Sequence, residues 1–442
     1  MATESRINTV YEILSGDDSQ DRACQSIPDE ACTNVPRNYV LNVLNGSATK
    51  LAEQLAGPNL VLPWIFNVIG APALLLGFLM PVRQTGSLLP QMVVSGQIRR
   101  FPRRKWFWAG AGVVQAIMLM LMIPAIIFFP PLYAGLAVIG LLALFSMASG
   151  VGSVAFQDVA GKTIPKGRRG RLLANRATIG GILTIAAGII LRFWIGNSTD
   201  YHIYLILIFI AAVLWLAGAL FFSRIKELAG ATGGGRNAIL EARAGIKNVR
   251  KFPGYRRFLL TRLALLSIEI ATPFYVLHAQ KLLGNQLSSF GIFVIAVGIS
   301  KVFSSPFWGK FADTSSRKVM IYAGLMGALT GAVAIGISLL LNVWHYAYIY
   351  AVVFLLIGFA EAGVRLGRKT FLIDATTEKV RATYVAFTNT IVGVFTLLSG
   401  LLGLIVQFIS VDFLIGVFIF LGLLGAFSGL RMPEARNMLK QE

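Results

Sequence analysis

The sequence predicts an all-α integral membrane protein with twelve transmembrane helices in two pseudo-symmetric six-helix halves. Composition is the first ground: 442 residues, 56% hydrophobic, 14% charged, mean hydropathy +0.70. So few polar residues cannot coat a soluble globule. Duplication is the second. GQIRRFPRRK from Gly96 returns as GKFADTSSRK from Gly309, 213 residues later, each between two long apolar runs. RRGRLLANRATIGG from Arg168 likewise echoes VRATYVAFTNTIVG from Val380, matching Arg169 to Arg381 and Gly181 to Gly393. Two copies of one unit are joined end to end.

Apolar runs place the spans at about 58 to 81, 84 to 98, 105 to 129, 131 to 157, 172 to 195 and 201 to 223. The second set lies at about 257 to 280, 286 to 308, 317 to 341, 344 to 366, 381 to 408 and 411 to 430. Most are long enough for a hydrocarbon core of about 30 Å. The second span is the shortest and rests partly on its clearer counterpart before Gly309.

Basic residues set the orientation. The net charge of +20 would suggest nucleic acid in a soluble protein, but here the charges cluster between spans and no aromatic-interleaved basic strip appears. Of thirty-six Lys and Arg beyond residue 57, thirty fall at one set of span ends, and Arg83, Arg192 and Lys281 lie at the other. The positive-inside rule then makes both termini cytoplasmic. Residues 1–57 read as a cytoplasmic tail with a short interfacial helix from Ser47, and no signal peptide opens it. Residues 58–223 form the first half, 224–256 a basic linker, 257–430 the second half and 431–442 a short tail. Cys24 and Cys32 read as a reduced cytosolic pair rather than a metal site.

GKFADTSSRK resembles the loop signature of the major facilitator superfamily: a glycine, an acidic residue four positions on, then a basic pair before the next helix. Gly309 allows close backbone approach, Asp313 can cap or pair, and Arg317 with Lys318 anchors the next helix at the headgroups. The first copy departs from this pattern, because Arg100 follows Gly96 where the acid should stand. The resemblance implies that the loop after span two faces the start of span eleven, and the loop after span eight the start of span five. Cross-half pairs of Arg100 with Glu378, and of Asp313 with Arg169 or Arg171, are therefore expected at the gate.

It also implies that spans one, four, seven and ten line a central cavity. Asn67, Glu269, Glu361 and Arg365 would then face it, with Lys301 in reach. A charge at mid-membrane is costly without a partner or water, so such residues mark solute or ion sites. Glu269, near the midplane, is the expected ion-coupling residue with Lys301 beside it, and Glu361 with Arg365 is spaced for an ion pair. Asp158 and Gln157 lie near the inner surface, where a gating or loop-capping role is expected rather than substrate binding.

No nucleotide-binding loop is present, and ATGGGRNA lacks both the strand and the lysine of one. His202, His278 and His345 sit near outer span ends, where polar caps are the default, and no Ser-His-Asp or zinc spacing emerges. The reading is not an enzyme and needs no cofactor or metal. It is a secondary transporter using alternating access, whose partners are the lipid bilayer, a small anionic or zwitterionic solute, and a proton or other coupling ion. A non-transporting scaffold of the same fold, or an amphiphile translocator, remains open on sequence grounds.

Overall fold

The structure is a computed structural model. It describes residues 2–15, 29–98, 100–165, 168–193, 202–230, 251–284, 287–340, 347–376 and 378–438. Ahead of the bundle lie α1 (Ala2–Ser15) and α2 (Asp29–Cys32). The first half comprises α3 (Val35–Leu55), α4 (Val61–Val68), α5 (Ala73–Ile98), α6 (Lys105–Phe128), α7 (Pro131–Thr163), α8 (Arg169–Phe193) and α9 (His202–Ser223). The second comprises α10 (Pro253–Ala264), α11 (Leu266–Leu283), α12 (Leu287–Thr314), α13 (Ser316–Leu339), α14 (Ala347–Ala375), α15 (Glu378–Ser399), α16 (Leu402–Phe408) and α17 (Val411–Leu430). Since α3–α4, α10–α11 and α15–α16 are broken rods, each half holds six. The protein is a multi-pass membrane protein: among the described residues, ten stretches are long and apolar enough to cross a bilayer. Their outer faces are apolar too; on α9, Tyr204, Ile208, Ala211 and Trp215 are buried while Ile206, Phe209, Val213 and Leu220 are exposed. A helix apolar on all sides suits lipid on one face and neighbours on the other.

The start of the bundle differs from the sequence reading. The tail holds no mere interfacial helix: α3 runs 21 residues and packs against α8 and α9. Asn38, Asn42, Asn45 and Thr49 share its buried face, which keeps its hydropathy low and hides it from an apolarity scan. The residues expected as one span from 58 to 81 are split. Gly70 adopts φ 75°, and Ala71 N–H bonds Phe66 O at 2.8 Å, closing α4 with a left-handed turn. Helix α5 then runs through Pro81 and Arg83, where a span end was expected. The arginine stays inside because Glu53 of α3 meets it at 2.9 Å. Cys32 is disulfide-bonded, against the reduced pair expected. The only other cysteine in the sequence, Cys24, lies outside the described residues. So do linker residues 231–250.

The halves meet along two seams. On α8 and α12, Gly181, Gly188, Gly291 and Gly298 let backbones touch: a Cβ on Gly291 would lie 2.9 Å from Gly188 O and 2.7 Å from Arg192 N. On the other seam, Thr85 of α5 donates to Gly393 O of α15 at 3.2 Å, and α16 packs on the start of α5. The glycine contacts run from mid-bundle to the end opposite the basic loops. Aromatic rings fill that end, with Trp64 5.2 Å from Phe290 and Phe293 4.5 Å from Phe354.

Candidate substrate and gating site

Charged side chains gather where the halves meet. Helix α3 contributes Lys50 and Glu53, and Glu53 binds both Lys50 at 3.0 Å and Arg83 of α5 at 2.9 Å. From the other half, Arg262 of α10 donates to Glu269 at 2.6 Å, and Arg368 of α14 lies 3.6 Å from the same carboxylate. Thr272 donates to Glu361 at 2.5 Å. Lys301 of α12 lies within electrostatic reach of Lys50, Glu53, Arg365 and Glu361, and Lys369 within reach of Lys50 and Glu269. Among the described residues these seven cations face three carboxylates, and Arg176 also lies within electrostatic reach of Glu53. Although they belong to helix interiors, Arg365 and Lys369 are exposed, and the Lys50 side chain is 50% exposed. Lys50 and Lys369 lie within electrostatic reach of each other across the halves, and exposed charges on helices of a membrane bundle call for water rather than lipid around them.

The structure thus brings together Glu269, Lys301, Glu361 and Arg365. Lys301 is not the principal partner of Glu269; Arg262 and Arg368 are. Arg365 acts on Glu361 through charge, while the hydroxyl of Thr272 takes the direct contact. Asn67, in the last turn of α4 and partly exposed, stands apart. Its neighbour Trp64 accepts from Gln280, eleven residues beyond Glu269 and hence about 16 Å along the helix.

At the basic end the two loop copies are wired to carboxylates that follow the last helix of each half. Glu227 is fully buried and accepts the backbone N–H groups of Arg104 (2.8 and 3.0 Å) and Lys105 (2.8 Å) at the start of α6, with Lys162 at 3.0 Å. Asp158 pairs with Arg104 and with Lys162. In the second copy, Ser315 caps α13 and donates to Glu434 at 2.9 Å. Arg317 binds Glu434 at 2.9 Å and Met432 O at 2.9 Å.

Of the gating set, Arg169 turns to the end of α7, donating to Gly161 O at 2.6 Å and Ile164 O at 2.8 Å. Arg100, Arg171 and Lys318 are exposed, and Gly309 has open space beside it. The side chains of Asp313 and Glu378, and the surroundings of Gly96, lie outside the described residues, so the cross-half pairs remain expectations.

At the opposite end, His278 is buried rather than a lone cap. Its Nε2 lies 3.0 Å from Asp412 of α17 and its Nδ1 2.6 Å from the hydroxyl of Tyr350 on α14. Lys281 holds the same aspartate at 2.8 Å. Sequence reasoning also missed Lys50, Glu53, Glu227 and Glu434, and gave Arg83, Arg262 and Arg368 no part in the site. The signal for Glu53 was the Asn38, Asn42, Asn45, Thr49 spacing, which marks a helix reaching Glu53 one turn later.

No family model matches the chain. Uncharacterised proteins of Mycobacterium tuberculosis and Mycobacterium bovis are 26% identical over 300 residues, covering 65% of this chain and 56% of theirs. The chain thus matches little more than half the length of these relatives. Among solved structures, a mutant of the nucleoside transporter NupG superposes with a TM-score of 0.69 at 15% identity, over 89% of this chain and 99% of that one. The inward-open xylose transporter XylE from E. coli gives 0.65 at 13% identity, over 90% and 96%. A D-xylose-proton symporter gives 0.64 at 14%, over 91% and 99%. Twelve rods, paired halves and duplicated loops all agree with these: the chain has the fold of major facilitator superfamily transporters.

Proposed function

We propose that the protein is a secondary transporter that carries a small anionic or zwitterionic solute by alternating access, coupled to a proton or another ion. The observation that carries this reading is the group of charges between the halves, where Lys50, Arg365 and Lys369 are exposed, set against a far end where the backbones of the two halves touch. A solute entering from the basic end would meet Lys50, Lys301, Arg365 and Glu361 before the glycine seam. Rocking the halves about that seam would close the basic end and open the other. The basic loops and both termini would face the cytoplasm of a bacterial inner membrane.

For coupling, the geometry favours Glu361 over Glu269. Glu269 is neutralised by two guanidinium groups, so protonating it breaks an ion pair. Glu361 has a threonine hydroxyl as its direct contact and can take up or release a proton at smaller cost. In proteoliposomes, Glu361→Gln should abolish gradient-driven accumulation while solute exchange without a gradient continues. Unchanged accumulation in that variant would remove Glu361 from coupling, and absence of transport across a broad solute panel would favour a scaffold.

Orientation has its own test. In a chain lacking Cys24 and Cys32, a cysteine at Gly234 should resist impermeant thiol reagents in intact cells, while one at Ser198 should be labelled. Both positions lie outside the described residues. Reversed labelling would invert the topology.

A further inference from the structure

We infer that the site binds a doubly charged oxyanion, a phosphoryl group or a pair of carboxylates, at Arg262 and Arg368. The inference rests on the central charges being the solute site. Arg262 is only 1% exposed, and a single bond, from Nη2 to Glu269, satisfies part of its guanidinium. Its Nε and Nη1 are buried with no acceptor among the described residues, and so is Nε of Arg368. Glu269 cannot supply them, since its two oxygens already face Nη2 of Arg262 and Nε of Arg368, the latter too distant for a hydrogen bond. Buried, charged donors left unpaired are costly, so they point to an acceptor that arrives with the solute.

Charge decides what that acceptor is. Arg262, Arg365, Arg368 and Lys369 lie around Glu269, and with Glu361 beside it these are four cations to two carboxylates. Water or a neutral sugar could accept the hydrogen bonds yet would leave this excess uncompensated. A zwitterion would bring its ammonium among guanidinium groups, and the nearest remaining carboxylate, Glu361, is already bonded to Thr272. A doubly charged oxyanion satisfies both needs, because its oxygens accept from several arginine nitrogens while its charge offsets the cations.

The test is ligand-induced thermal stabilisation of the purified full chain, in a phosphate-free buffer at fixed ionic strength. Inorganic phosphate, malonate, glycine, xylose and uridine serve as probes. Phosphate or malonate should raise the unfolding temperature, and the one that does so identifies the source of the charge. Arg368→Gln should weaken that binding at least tenfold, whereas Arg257→Gln, an exposed arginine bonded to Arg431 O, should leave it unchanged. Arg365→Gln provides a second variant if Arg368→Gln does not fold. The inference is overturned if neither anion stabilises the protein, or if Arg257→Gln weakens binding as much as the site variants. Counterflow in proteoliposomes separates the two readings. Movement of glycine or xylose with no anion binding removes the oxyanion and keeps the transporter; anion binding at Arg368 without movement of any probe does the reverse.

Discussion

The two halves share a fold but hold it together differently, and the clearest contrast lies in their matched loops. Pro102 of the first copy stands where Ser315 stands in the second. Serine caps α13 with its own hydroxyl, so Glu434 needs only to hold that serine and Arg317. Proline has no such group. The N-terminus of α6 is capped instead by the buried carboxylate of Glu227, which reaches two backbone N–H groups from beyond the end of α9. A carboxylate at a helix N-terminus satisfies orphan donors and meets the positive end of the dipole. The duplicated unit kept the position of its acid and changed what the acid does.

The contrast continues inside the bundle. In the first half, neutral amides tie helices together: both ends of the Asn38 amide bond the backbone of Lys226, and Asn45 donates to Gly218 O at 2.9 Å. A Cβ on Gly218 would lie 2.9 Å from Thr49, so glycine is what lets α9 approach that face. The second half places Arg262, Glu269, Glu361 and Arg368 inside the bundle. Thus the first half is built as a frame, and the second carries most of the charges suited to bind and release.

Glu227→Ala should have the largest effect on this arrangement. It strips a buried acceptor from two backbone donors and from Lys162, at a cost of about 3 kcal/mol, read as a lowered unfolding midpoint in detergent. Asn45→Leu should follow, at about 2 kcal/mol, because Gly218 O and the Arg176 guanidinium both lose a partner; hydrogen exchange should show α3 and α9 loosened together. Smallest is Glu434→Ala, at about 0.5 kcal/mol, since the carboxylate is 41% exposed and Ser315 still caps the helix. If Glu227→Ala and Glu434→Ala proved equal in unfolding measurements, the proposed difference between the loops would collapse.

Much of the fold was legible in the chain. From α6 onward, the helix limits follow the apolar runs to within a few residues at most ends, because long lipid-facing helices must be apolar on their outer side. The α14 helix, which continues to Ala375, exceeds its run because Arg365, Arg368 and Lys369 face solvent between the halves. The start of the bundle was not legible. Helix α3 is polar, and its asparagines can be buried only because α9 offers carbonyls to receive them.

Composition, duplication and charge bias needed no third dimension to fix a membrane protein of two six-helix halves, since each follows from solvent matching along the chain. Glu269, Lys301, Glu361 and Arg365 stood out for the same reason, as charges within apolar runs. Their partners belong to tertiary structure alone. Arg262 rather than Lys301 neutralises Glu269, Glu53 keeps Arg83 inside the bundle, and His278 joins Asp412 to Tyr350 across three helices. Ion pairs and hydrogen bonds act over a few ångströms, and only the packing of helices distant in sequence decides which groups come that close.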